Sequence, residues 1–166
     1  KVDFRASGQT GIMIAGEGLP IDAVISDFVT GAAELLSPDN DPDHWDVIEG
    51  QGAIFHPAYG AVSHGLLVGS QPDAIVVCHA AGRTHIGSWE HCPLRTIGEV
   101  MERNIQIGQL TNPDIQCVGI SVNTSALPAE ERSDYLAGLS EKYNLPCVDP
   151  IVTGTDGIVK EIQRRF

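Results

Sequence analysis

Two apolar runs constrain this chain more than any other feature. Residues 74–78 read AIVVC and residues 117–122 read CVGISV, with no polar alternation. A strand that buries one face alternates, whereas a strand covered on both faces does not. Strands of that kind sit in parallel sheets, and a parallel neighbour is reached only through a crossover, usually a helix. Between the two runs, residues 97–110 carry apolar side chains at helical spacing. The unit strand–helix–strand follows.

The rest of the chain extends that pattern. Residues 2–6, 45–48 and 146–149 read as short strands. Residues 22–36 place Val24, Ile25, Phe28, Val29, Ala32, Ala33, Leu35 and Leu36 at three- and four-residue intervals, the period of one amphipathic helix. Residues 60–69, 128–143 and 158–166 also read as helices. Residues 7–11 (SGQTG) read as a turn, and residues 82–93 as a long loop. The expected fold is α/β: three layers, a mostly parallel sheet with helices on both faces, in one domain over residues 1–166.

Composition narrows the partners. The 166 residues are 42% apolar, enough for a core, and include 18 glycines. The net charge is −12. Such a chain repels phosphate backbones and anionic lipid, so a small-molecule substrate is expected rather than nucleic acid or membrane. The cysteines Cys78, Cys92, Cys117 and Cys147 are widely spread, with no CxxC pair, and read as core residues in a reducing cytoplasm. No apolar run approaches the roughly 20 residues of a membrane span. The chain opens on Lys1 and enters a strand at once, so a piece of a longer chain is expected. Apolar helices such as residues 22–36 offer a surface for a homo-oligomer.

Parallel sheets bind ligands beyond the carboxyl ends of their strands. Four strand-following segments therefore hold the candidate site, and in a single parallel sheet they collect on one edge. The sharpest candidate is Glu49, which ends an apolar run and is followed by Gly50, Gln51 and Gly52. A carboxylate so placed, cleared of side-chain bulk, can hold Mg²⁺ or a bound water; a solvated turn residue is the plainer reading. Ser7, Gly8, Gln9, Thr10 and Gly11 stand where a loop meets a ligand, or form an ordinary turn. Arg83 offers a planar fork for a carboxylate or phosphate, and Thr84 and His85 follow it; a surface arginine paired with an acid is the alternative. His85 and His56 are general-base candidates, although each is more often a hydrogen-bonded structural residue. His79, His85, His91 and Cys92 match no standard zinc spacing. Asn123 can meet a nucleobase or cap the following helix, and capping is favoured. The chain contains no GxxxxGK[ST], no GxGxxG after a strand and no GxSxG.

Together the segments DFRASGQTG (3–11), HWDVIEGQGAIFHP (44–57), GSQPDAIVVCH (69–79), GRTH (82–85), LTNPDIQCVGISVNTS (110–125) and LPCVDPIVTG (145–154) resemble the C-terminal domain of a bacterial and archaeal family. That family, long known only as a domain of unknown function, includes D-glutamate N-acetyltransferases. The resemblance implies a fold similar to P-loop proteins of the dethiobiotin-synthetase type, lacking here the first strand and the P-loop, which would precede Val2. In the family fold Glu-Gly-x-Gly supplies the metal-side carboxylate, and Glu49-Gly50-Gln51-Gly52 matches it; Asp46 lies too close to Glu49 to carry a role across. The activity implied is acetyl transfer from acetyl-CoA to the amine of D-glutamate. His85, His56 and Glu49 are then the catalytic candidates. Arg83, Thr84, Gln9, Thr10, Ser7 and Gln51 are the candidates for substrate contact by position and chemistry, and Gly8, Gly11, Gly50, Gly52 and Asn123 those for the cofactor. The rival is an ATP- and Mg²⁺-dependent ligase or kinase in which Glu49 holds the metal; a non-catalytic assembly domain is the third possibility. The missing N-terminal part of the same chain is an expected partner.

Overall fold

The computed structural model describes all of residues 1–166, and the chain divides into two compact units. The first comprises residues 1–72 and 106–114; the second comprises residues 73–105 and 115–166.

In the first unit, β1 (Val2–Arg5) is followed almost immediately by α1 (Gln9–Ala15). Residues 7–11 are therefore a helix entrance and not a turn. Gly8 is the N-cap in extended backbone and supplies no side-chain cap, so the first amides of α1 need another acceptor. The expected helix over residues 22–36 is broken. Short 3₁₀ turns at Ile21–Ala23 and Ser26–Phe28 precede α2 (Val29–Ala33), and a third, Glu34–Leu36, follows it. Val24 and Ile25 between them are extended. Two adjacent β-branched residues followed by Ser26 and Asp27, which favour caps over helix interiors, account for the break. The burial period survives it: Val29, Ala33 and Leu36 still pack with Ile21 and Leu66 in one core.

The second strand, β2 (Trp45–Ile48), pairs in parallel with β1, placing Asp3 opposite Asp46 and Arg5 opposite Ile48. Next comes α3 (Gly60–Ser70), packed tightly on α2. A Cβ at Gly69 would lie 2.1 Å from the Thr30 carbonyl oxygen. That approach is closer than any side chain permits.

The second unit runs β3 (Ala74–Ala80), β4 (His85–Ile86), β5 (Trp89–Pro93), α4 (Ile97–Gly108, whose last residues belong to the first unit), β6 (Gln116–Asn123), α5 (Arg132–Tyr143), β7 (Cys147–Val148) and α6 (Asp156–Arg165). Strands β3, β6 and β7 are parallel and lie in that order. The expected loop over residues 82–93 holds the antiparallel hairpin β4–β5, closed by Gly87-Ser88 between the paired Ile86 and Trp89. Ser88 has φ 64°.

A bulge lets β6 serve two layers. The pairing skips Val118, since Ile75 lies opposite Cys117 and Val76 opposite Gly119. Cys117, Ile120 and Val122 consequently share the cluster that Ile97, Met101, Leu136 and Leu139 of α4 and α5 complete. Val118 joins Val148, Ile158 and Ile162 on the α6 side. Helices thus cover both faces, as the unalternating run of β6 requires. The other run fits less well: Val77 is buried, but Val76 and Cys78 are exposed because β3 lies at an edge of the three strands. No helix is long and apolar enough to cross a membrane.

Candidate functional site

The structure gathers four of the expected residues around Glu49, at the carboxyl end of β2. Glu49 Oε2 accepts hydrogen bonds from the backbone amides of Ser7 (2.9 Å) and Gly8 (2.9 Å), and Oε1 accepts one from Gly11 (3.2 Å). Ser7, fully buried, donates its hydroxyl to the Glu49 carbonyl (2.6 Å) and accepts from Gln51 Nε2 (2.7 Å). The carboxylate supplies the acceptor that the entrance of α1 lacks, where the helix dipole also favours negative charge. Charge-assisted bonds to backbone amides are among the stronger hydrogen bonds in proteins.

This arrangement revises two expectations. The amides of Gly8 and Gly11, expected to serve a cofactor, are taken by Glu49. Oε2 has both lone pairs in use and Oε1 keeps one, so Glu49 can be at most a one-point ligand to Mg²⁺, and no proton-transfer role follows from its geometry. The tight glycines also differ from those expected. A Cβ on Gly11 would lie 2.1 Å from Glu49 Oε2, and one on Gly8 2.8 Å from Gln51 Nε2. By contrast, a Cβ on Gly50 would meet nothing within 4 Å, and one on Gly52 only Tyr59 Cβ at 3.6 Å. Of the other residues in this segment, Gln9 donates to Asp22 Oδ2 (3.0 Å), and Thr10 is exposed.

His56 takes part in a local turn. Its Nδ1 accepts from the backbone amides of Ala58 (3.1 Å) and Tyr59 (3.2 Å), and its ring lies 4.5 Å from that of Tyr59. Since amides only donate, the Nδ1 lone pair is committed to the turn that leads into α3. His56→Ala is expected to cost about 1 kcal/mol, the usual loss for a capping acceptor. For a chain of this size that lowers Tm by about 2–4 °C, which differential scanning calorimetry would register.

The second unit holds the remaining candidates near the carboxyl ends of its strands. Beyond β3, Arg83 and Thr84 are exposed, and His85 is half-buried with Nδ1 3.2 Å from Thr84 Oγ1. His79, near the end of β3, faces the Tyr135 hydroxyl of α5 (Nε2 to Oη 3.3 Å). Burial and, secondarily, the Arg83 charge lower its pKa, so the ring is neutral at neutral pH. Asn123, expected to cap the following helix, instead accepts from the Ser125 amide through Oδ1 (2.9 Å) and shapes the turn at the end of β6. The cysteines are unreactive where burial governs them: Cys147 is pushed up to about 11 by burial and by neighbouring Cys117.

Asp149 is a residue the sequence reading missed. It is buried just after β7. Oδ2 accepts from the Thr124 amide (2.9 Å) and hydroxyl (2.6 Å), and Oδ1 from the amides of Ile151 (3.0 Å) and Val152 (3.3 Å). The Thr124 bonds, led by its hydroxyl, hold the carboxyl below the usual aspartate range. The available signal was an acid directly after a buried strand, the same signal that marked Glu49.

The chain is similar to two D-glutamate N-acetyltransferases. It is 53% identical to that of a Pseudoalteromonas species over 97% of this chain and 48% of the relative. It is 46% identical to that of Tritonibacter scottomollicae over 96% of this chain and 48% of the relative. The chain therefore spans about half the length of the curated relatives it matches. Its fold is similar to the crystal structure of a DUF1611 family protein from Anabaena variabilis, with TM-score 0.89 and 32% identity over 99% of this chain and 48% of that one. Residues 1–159 match the domain of unknown function DUF1611_C, a P-loop domain, so the resemblance read from the sequence is borne out and the chain belongs to the DUF1611 family.

Proposed function

We propose that the protein carrying this chain is an N-acetyltransferase that moves acetyl from acetyl-CoA to the amine of D-glutamate. The observation that carries the reading is the 53% and 46% identity, over nearly all of this chain, to two relatives bearing that activity as their name. The reaction needs a base to take the ammonium proton and a cation for the substrate carboxylates. The segment after β3 offers both. Arg83 is exposed and available to a dianionic substrate. If His85 donates its Nδ1 proton to Thr84 Oγ1, its Nε2 carries the lone pair that accepts the proton. The amine nitrogen then attacks the thioester carbon, the C–S bond breaks, and the departing thiolate of coenzyme A takes the second proton lost by the nitrogen and leaves as the thiol.

The test is an incubation of the full-length protein with D-glutamate and either acetyl-CoA or ATP with Mg²⁺. N-acetylated product with acetyl-CoA alone is expected. ADP without acetylated product would replace this reading with the ligase or kinase. In the same assay Arg83→Ala is expected to raise KM for D-glutamate at least about tenfold, the loss of one charge-assisted contact. An unchanged KM removes Arg83 from substrate binding.

A further inference from the structure

A second cluster lies at the other end of the β1–β2 pair, and the proposed acetyl transfer makes no use of it. Asp3 and Asp46 face each other across the two strands, a like-charge pair that destabilises a sheet unless something neutralises it. His44, just before β2, turns its side chain into the same place. That side chain is only 5% exposed, and Nε2 is buried without a hydrogen bond. Nε2 nevertheless lies 3.3 Å from Asp3 Oδ2 and 3.4 Å from Asp46 Oδ1. A buried imidazole nitrogen with no hydrogen-bond partner is costly, and one poised between two carboxylate oxygens calls for a cation.

We propose that Asp3, His44 and Asp46 form a site for a divalent transition-metal ion of the Zn²⁺ type. The three donor atoms lie within 4.8 Å of one another. With Zn–N and Zn–O bonds near 2.0–2.2 Å, the edge between two ligands of a tetrahedral site is about 3.4 Å. Both measured edges from Nε2 fit that value without rearrangement. The outer partners are also in place. Asp46 Oδ1 accepts from Arg5 Nε (2.6 Å), leaving one lone pair for a metal, and Asp46 Oδ2 accepts from Asn40 Nδ2 (2.9 Å). Such partners fix the orientation of a ligating carboxylate. One imidazole and two carboxylates select Zn²⁺ over Mg²⁺, which prefers an all-oxygen octahedron. Arg5, and Lys1 with Nζ 3.7 Å from Asp3 Oδ2, already offset part of the acid pair, so binding is moderate and depends on the imidazole. The ion pins β1 to the entrance of β2 in a structural role.

The experiment uses the full-length protein stripped of metal with a chelator. Zn²⁺ at about a hundredfold excess over its Kd is expected to raise Tm by several degrees, with one ion bound per chain at this site. Mg²⁺ at the same concentration leaves Tm unchanged. His44→Ala and Asp46→Asn each abolish the Zn²⁺-dependent rise. Should these variants fold poorly, the wild-type protein with ¹⁵N-labelled histidine provides the second measurement, in which Zn²⁺ shifts the His44 Nε2 resonance before those of the other histidines of residues 1–166. Three results overturn the proposal: no Zn²⁺-dependent rise, an equal rise in His44→Ala, or a His44 ring that Zn²⁺ leaves unmoved.

Discussion

Glu49→Ala is expected to destabilise the protein by about 2–4 kcal/mol, and Gly11→Ala by a similar amount, while the double variant is no less stable than Glu49→Ala alone. The first figure follows from three charge-assisted hydrogen bonds at about 1.5–3 kcal/mol each, discounted because the half-buried site lets water replace some of them. The second follows from geometry: a methyl group on Gly11 would lie 2.1 Å from Oε2 and 2.6 Å from Cδ of Glu49. No soft contact yields there, because the atoms struck belong to a carboxylate held on two sides by the amides of Ser7, Gly8 and Gly11. Either the helix retreats or the carboxylate swings out, and both release the same bonds. Removing the carboxylate first leaves the methyl group nothing to strike. Urea denaturation of the four proteins closes a double-mutant cycle whose coupling equals the whole cost of Gly11→Ala, about 2–4 kcal/mol. Additivity within about 0.5 kcal/mol would show that Gly11 and Glu49 do not meet, and the account of this loop would fail.

That cycle also marks where reading the sequence stopped. Glu49 stood out as a carboxylate at the end of an apolar run, and Ser7, Gly8 and Gly11 stood out as a glycine-bearing segment after another strand. What joins them is the parallel register of β1 and β2, which brings together residues about forty positions apart. Local pattern carries no record of that distance, and so it points the amides at a cofactor and puts the clearance at Gly50 and Gly52. Where order arises locally, the pattern sufficed. The unalternating run 117–122 became the strand covered on both faces, and the 97–110 period became α4. The segment 22–36 shows the converse. Its burial period was real, but Val24, Ile25, Ser26 and Asp27 resist a continuous helix, and local propensity divided what the period suggested was one element. The Gly-Ser step at 87–88 was a legible hairpin signal hidden between two short, polar strands.

Asp149→Asn is expected to cost about 2–4 kcal/mol at neutral pH, and that cost should shrink in acid. The aspartate offers two oxygens to four donors: Thr124 contributes its amide and hydroxyl to Oδ2, and the Ile151 and Val152 amides reach Oδ1. Asparagine keeps one oxygen. Its amino group must then face N–H donors on one side, leaving buried groups unsatisfied at about 1–3 kcal/mol each. The pH dependence follows from the direction of the shift. The folded carboxyl titrates below its unfolded value of 3.8, so its contribution is complete well above pH 3.8 and is lost as pH falls through the lower folded value. Asparagine does not titrate and loses nothing there. Plotting unfolding free energy from pH 7 down to about pH 3, the wild-type curve should fall towards that of the variant, with the gap narrowing only below about pH 4. A gap constant across that range would mean that the Asp149 charge contributes nothing to joining the ends of β6 and β7, leaving shape alone to hold the Thr124 turn in place.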